Sequence, residues 1–186
     1  MSHDPSVLPA GLPAPVDDGA ADLLPGRVLP DIALPATTGG PVDLRRHGAG
    51  RRLVVSAHPR TGRPGVDPPT GWDEIPGARG CTPEACASRD LAAQFATLHV
   101  EVLGRSSQDP DHQLQAAIRL HLPHALLSDA DLAFSQAPGL PTSEVDGTTL
   151  LRRLTMTVRD GVVEQVLHPV SPADRAADDA LSALRG

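Results

Sequence analysis

The chain has 186 residues, 40% of them hydrophobic, and a formal net charge of −7; lysine and tyrosine are absent, so all 16 basic residues are arginine. That length suits one domain able to bury about 70% of its unfolded surface. The acidic balance argues against nucleic acid or an anionic membrane as the main partner. No apolar run approaches the ~20 residues of a membrane span, and the start lacks the basic-then-apolar plan of a signal peptide. Two cysteines without such a signal point to the reducing cytoplasm, and to catalytic or sensing thiols rather than structural cross-links.

Residues 1–26 are rich in Pro, Ala, Gly and Asp without a periodic apolar face. They read as a flexible N-terminal arm, with His3 a solvated tail residue. The ordered domain is expected over 27–186. It opens on an alternating stretch from Leu29 to Pro35, turns at Thr37–Gly40 and returns through Pro41–Leu44. Arg52–Ala57 is an apolar run suited to a buried parallel strand. His58 follows, either as a proton donor or acceptor near a site or as a strand-end cap. Residues 60–80 make a loop of about 20 residues, an uncommon length that is usually functional or disordered. It reads as a substrate lid or as a passive surface loop.

The run Pro76-Gly77-Ala78-Arg79-Gly80-Cys81-Thr82-Pro83-Glu84-Ala85-Cys86 holds both cysteines. It is a glycine-rich loop feeding a helix, with Thr82 as N-cap and Pro83 as first helical residue. Ala87, Leu91, Phe95 and Leu98 then recur at the spacing of one buried helical face. Cys81 therefore sits just ahead of a helix start, where free N–H groups and the macrodipole favour the reactive thiolate. Arg79 and Arg89 flank it in sequence. In an intact helix Cys81 and Cys86 would have Cα atoms about 8–9 Å apart, whereas a disulfide needs about 7 Å or less. The spacing suits two thiols that meet only when the first turn or two unwinds. Two ordinary buried cysteines are the alternative.

Beyond this helix, His99–Gly104 is a second strand. Asp109 and Pro110 cap and open a helix running to Leu122, with Leu114, Ala117, Ile118 and His121 on one face. His112, His121 and His124 show no tight metal-ligand spacing, so hydrogen-bonded roles are expected and no metal. Leu150–Val158, the Asp160-Gly161 turn and Val162–Leu167 give a hairpin. Ser171-Pro172 caps a last helix with a stripe of Ala173, Ala176, Ala177, Ala180, Leu181 and Leu184. The element order is α/β, a mixed central sheet flanked by helices.

The segment Gly80–Cys86, followed by Ser88-Arg89-Asp90, resembles the active-site segment of atypical two-cysteine peroxiredoxins of the Q type, also called bacterioferritin comigratory proteins. The resemblance covers about residues 25–186. It includes the opening strand and turn, the strand end Gly104–Ser106 and the junction Leu126-Leu127-Ser128-Asp129-Ala130-Asp131. It implies a thioredoxin-like (peroxiredoxin) fold, with Cys81 as the peroxide-reactive cysteine and Cys86 as its resolving partner through an intramolecular disulfide. The family arginine, eight residues before the turn glycine, falls on Arg153, with Arg152 the adjacent fallback. Two departures stand out. Ala78 replaces the Thr or Ser that usually stands three before the reactive cysteine, and Asp73 stands where a proline is expected. An insertion separates Pro59-Arg60-Thr61 from Cys81, leaving Thr61 as the leading candidate for the missing hydroxyl.

The activity so implied is reduction of hydrogen peroxide or alkyl hydroperoxides, with recycling by a thioredoxin-like dithiol, no metal or organic cofactor, and a monomer or weak dimer. A thiol redox sensor or docking module would use the same cysteine pair without sustained turnover. A soft-metal binder would recruit a histidine, but two thiols at this spacing fall short of the closed four-ligand sites zinc favours.

Overall fold

The computed structural model describes residues 4–186; His3 lies outside them. Residues 4–26 contain turns and coil but no helix or strand, and apolar packing begins there, with Ala21 and Leu24 buried in the main core. Proline spacing then keeps the opening ladder short. β1 (Ala33–Leu34) pairs antiparallel with β2 (Val42–Asp43), because Pro30, Pro35 and Pro41 cannot donate to a ladder. The Asp43 carboxylate caps α1 (Leu44–His47) by accepting from the Arg45 and Arg46 N–H groups.

β3 (Arg52–Ala57) falls where the apolar run places it, buried from Leu53 onward. Its side chains alternate between two layers, as the strand period requires. Leu53, Val55 and Ala57 join the core under the N-terminal segment, whereas Val54 faces the helices. After the 60–80 loop come α2 (Cys81–Asp90) and α3 (Ala92–Thr97), divided at Leu91. The apolar series continues across that break: Phe95 is buried, and Ala87, Leu91 and Leu98 pack against the same cluster.

β4 (Val100–Ser106) lies parallel to β3, with Arg52 opposite Val100. α4 (Pro110–Arg119) begins at the Asp109 cap, whose carboxylate accepts from the His112 N–H. It ends short of Leu122, and its exposed side is not the expected one. Leu114 is 44% and Ile118 66% exposed, while His112, Gln113 and Ala116 are buried. Hydrogen bonding decides the orientation: the Gln113 amide donates to Ser106 Oγ at 2.7 Å and to the Leu127 carbonyl at 3.0 Å.

β5 (Ala125–Ser128) completes the parallel part of the sheet, and α5 (Ala133–Gln136) follows. The strand expected over 150–158 is two strands. β6 (Thr142–Val145) and β7 (Thr148–Leu151) form a separate hairpin, then the chain breaks at Arg152-Arg153 before β8 (Leu154–Arg159). β8 turns at Asp160-Gly161 into β9 (Val162–Leu167). The five-stranded sheet runs β5-β4-β3-β8-β9, mixed as expected, with β8 antiparallel to β3 and β9. A 3₁₀ turn over Ala173–Arg175 leads into α6 (Ala176–Arg185), so Ser171 does not cap that helix. The stripe does pack inward: Ala177, Ala180 and Leu181 are buried and Leu184 leans on the same cluster.

Candidate active site

Helix α2 starts one residue earlier than the cap pattern suggests. Cys81 is its first residue and Gly80 its N-cap, at φ 105°. Thr82, the expected cap, is already inside the helix. Glycine is required at position 80 on two counts. Its φ is in the left-handed region, and a Cβ there would lie 2.6 Å from Ala173 Cβ and 2.9 Å from Leu8 Cδ1. The shift costs Pro83 nothing, since first-turn N–H groups have no intrahelical acceptor. It places the Cys81 side chain among those unpaired donors, at the positive end of the helix.

Three groups meet the Cys81 sulfur, which is buried. The Arg60 backbone N–H donates to it at 3.3 Å and Arg153 Nη2 at 3.2 Å, while the thiol lies 3.7 Å from the Ala78 carbonyl it can donate to. Arg153 is itself fixed from several sides. Nη1 pairs with the Glu84 carboxylate. Nη2 also donates to the Arg79 carbonyl at 3.0 Å and the Ala78 carbonyl at 3.3 Å. His168 Nδ1 lies 2.9 Å from the Arg153 carbonyl. The break before β8 sends the two adjacent arginines opposite ways: Arg152 reaches outward to Asp18 at 2.7 Å. Of the two, only Arg153 lies at the sulfur.

Glu84 was not singled out from the sequence, although a signal existed. It stands three residues after Cys81, on the same face of α2, and a carboxylate there is what a buried arginine needs. The pair is buried on both sides, so geometry matters more than bare Coulomb attraction. The planar guanidinium holds Glu84 with one nitrogen and presents the other to sulfur and carbonyls.

The missing hydroxyl is replaced by a backbone donor. Thr61 is buried, but its hydroxyl donates to Gln108 Oε1 at 3.0 Å and its N–H to the same oxygen at 2.8 Å. Gln108, also unforeseen, thereby holds the chain in the turn that aims the Arg60 N–H at sulfur. His112 Nε2 approaches the Thr61 carbonyl at 3.0 Å, so this histidine serves the loop. His58 lies behind the site, buried, with its N–H donating to the Arg105 carbonyl at the strand end. Burial first, and the Arg153 charge second, push its ring down to about 3, so it is neutral.

Residues 60–80 form a wall of the cleft that opens on Cys81. Arg60, Arg63, Val66, Pro69 and Trp72 line it. Trp72 anchors the wall, buried against Ala78, Val145 and Leu150. Of the two flanking arginines, Arg79 lines the cleft and pairs with Asp73 at 2.7 Å. Arg89 lies elsewhere, paired with Asp90 at 2.8 Å and donating to the Leu120 carbonyl at 2.9 Å. Cys86 is half-buried, and both thiols are free. Since α2 is unbroken between them, ideal geometry holds their Cα atoms about 8–9 Å apart.

Comparisons with known proteins agree with this picture. The redoxin family model matches residues 24–184. The chain is 29% identical to "Peroxiredoxin Q, chloroplastic" of Gentiana triflora over 182 residues, covering 95% of this chain and 76% of that protein. It is 31% identical to peroxiredoxin bcp1 of Schizosaccharomyces pombe over 127 residues, or 67% of this chain and 57% of that one. The crystal structure of peroxidoxin BcpB from Mycobacterium tuberculosis superposes with a TM-score of 0.70 at 28% identity, covering 88% of this chain and 97% of that one. A bacterioferritin comigratory protein of Xanthomonas campestris, whose structures address alkyl peroxide reduction, gives 0.64 at 25% identity over 84% and 94%. A buried cysteine at a helix start, an arginine on its sulfur, and a family match over most of the chain lead to one conclusion: the chain belongs to the redoxin family, among its Q-type, bacterioferritin comigratory protein-like peroxiredoxins.

Proposed function

We propose that Cys81 is the nucleophile of a thiol-dependent peroxidase and Cys86 its resolving cysteine. The observation that carries this is the convergence of the Arg60 N–H and Arg153 Nη2 on the Cys81 sulfur. Both are donors, and both are held in place before any charge develops. The Cys81 thiolate attacks the terminal oxygen of a hydroperoxide. The O–O bond breaks, the departing oxygen takes a proton to leave as water or alcohol, and sulfur is oxidised by two electrons to the sulfenic acid. Arg153 lies where it can stabilise both the thiolate and the charge growing on the peroxide oxygens, and Glu84 positions it.

The second step needs movement. Cys86 attacks the sulfenic acid, an S–S bond forms and water leaves, but only after the first turns of α2 unwind, because the intact helix holds the pair too far apart. A thioredoxin-like dithiol then reduces the disulfide by exchange. We place the protein in the cytoplasm, as a monomer or weak dimer; its two free thiols suit a reducing compartment.

The test is steady-state peroxide consumption coupled to thioredoxin. Cys81→Ser should abolish turnover, whereas Cys86→Ser should reduce one equivalent of peroxide and stop at the sulfenic acid. The reverse behaviour would exchange the two roles. Slow stoichiometric oxidation without turnover in the wild type would make the chain a redox sensor instead.

A further inference from the structure

The cleft over Cys81 carries more positive charge than reaction at sulfur uses. Three arginines line it, Arg60, Arg63 and Arg79. Arg79 is engaged by Asp73. Among the described residues the guanidinium groups of Arg60 and Arg63 take part in no ion pair, and the charge that meets sulfur comes from Arg153. One carboxylate, Asp67, shares the lining. Asp109 lies within reach of the Arg63 field, although its pKa is lowered first by the His112 N–H it caps. Burial depresses the His112 ring, and the Arg63 and Arg60 charges lower it further. In a chain of net charge −7, this is a local reversal of sign beside the reactive atom, and such clefts concentrate ligands of opposite charge.

The same cleft has an apolar wall, formed by Val66, Pro68, Pro69 and Trp72. The Arg60 backbone is pinned 3.3 Å from Sγ, so its guanidinium lies within one side-chain length of the reacting atoms. Arg63 is exposed, three residues further out. Hydrogen peroxide has no group for either charge to meet. We infer that Arg60 and Arg63 select organic hydroperoxides that carry a carboxylate, the peroxide end directed to Cys81 and the carboxylate held at the arginines. This rests on the peroxidase reading. Arg63 lies in the insertion that separates Pro59-Arg60-Thr61 from Cys81. The chemistry at sulfur is as above: the O–O bond breaks, the alkoxide takes a proton, and the carboxylate leaves unchanged on the resulting hydroxy acid.

The experiment uses the reduced full-length chain and a matched pair of probes, a hydroperoxy carboxylate and its methyl ester, with single-turnover rate constants for each. The carboxylate should react about 10-fold faster at low ionic strength, the lower end of electrostatic steering, and the ratio should fall as salt is added. Arg63→Gln and Arg60→Gln should each lower the carboxylate-to-ester ratio, the double variant should bring it to about one, and Arg63→Glu should invert it. A wild-type ratio near one at low salt, with both probes and hydrogen peroxide reduced, overturns the proposal. So does a variant that slows both probes equally, since the arginine would then act on the thiol. A wild type that reduces none of the three overturns the peroxidase reading itself. The salt dependence of the wild-type ratio needs no variant to fold.

Discussion

Two arginines are buried in this protein with carboxylate partners, and they serve different ends. Arg105, on β4, is fully buried; its Nη1 donates to Asp129 Oδ2 at 2.8 Å and to Ser135 Oγ at 2.7 Å, and its guanidinium carbon lies 4.8 Å from the centre of the Phe134 ring. Burial lowers its pKa to about 10 against the opposing pull of Asp129. Its partners tie β4 to the end of β5 and to α5, which is a structural role. Arg153 has the same kind of carboxylate partner in Glu84, yet one nitrogen is left to two carbonyls and the Cys81 sulfur. A buried ion pair holds a fold when all of its partners are permanent. It serves chemistry when one partner is the reacting atom.

The comparison breaks most sharply at Arg153. Arg153→Met should slow the peroxide step by roughly 10²-fold or more, the scale of losing one preorganised charge-stabilising donor. Arg153→Lys should not restore the rate, because an ammonium cannot hold Glu84 and sulfur in one plane. Stopped-flow oxidation of the thiol reads both. An unchanged second-order rate in Arg153→Met would remove the arginine from the mechanism.

Asp129→Asn should show the opposite profile. It leaves the Arg105 charge buried and unpaired, which costs about 3–5 kcal/mol in comparable cases. Denaturant unfolding should show that loss, while the folded variant oxidises within a few-fold of wild type. A rate loss as large as that of Arg153→Met would mean that the two pairs are coupled through the sheet.

A smaller, graded effect comes from two histidines, His58 buried and His124 half-buried. Burial lowers His58 to about 3 and His124 to about 4, from 6.5. The unfolded chain takes up these protons near pH 6.5 and the folded chain does not. Stability from this source is therefore complete above 6.5 and is lost as pH falls toward 3. The slope is up to about 1.4 kcal/mol per pH unit for each ring. Unfolding midpoints measured between pH 6.5 and 5, above most carboxylate titration, should show it, and His124→Leu should flatten the slope. A flat profile in the wild type would contradict the desolvation of both rings.

The smallest signal reports the switch. Trp72 is buried against Ala78, in the loop leading to Cys81, so unwinding the start of α2 should change its fluorescence, reversibly with a dithiol. Amide exchange across 81–90 should quicken in the oxidised protein. Cys86→Ser should lose both responses. Full helix protection in a protein carrying the Cys81–Cys86 bond would mean that closure needs no unwinding.

The sequence by itself determined what depends on near neighbours. The apolar run of β3, the Asp109 cap of α4 and the Asp160-Gly161 hairpin are short-range patterns, and each appears where its residues place it. The glycine-to-helix passage at Cys81 is another, displaced toward the N-terminus because Gly80 and not Thr82 is the cap. The resemblance supplied Arg153 and left Arg152 beside it; the break between β7 and β8 separates their directions, and no local propensity marks that break. Tertiary structure also decided what replaces the missing hydroxyl, since the Arg60 N–H reaches a sulfur 21 residues away in sequence through a turn held by Gln108. It decided the inner face of α4, where Gln113 meets Ser106 and Leu127 and so leaves Leu114 and Ile118 outside. The Glu84–Arg153 pair spans 69 residues. Local preference fixes which backbone conformations a segment adopts, but a buried charge or amide chooses its partner only after the sheet has brought distant segments together, and the reactive sulfur depends on those choices.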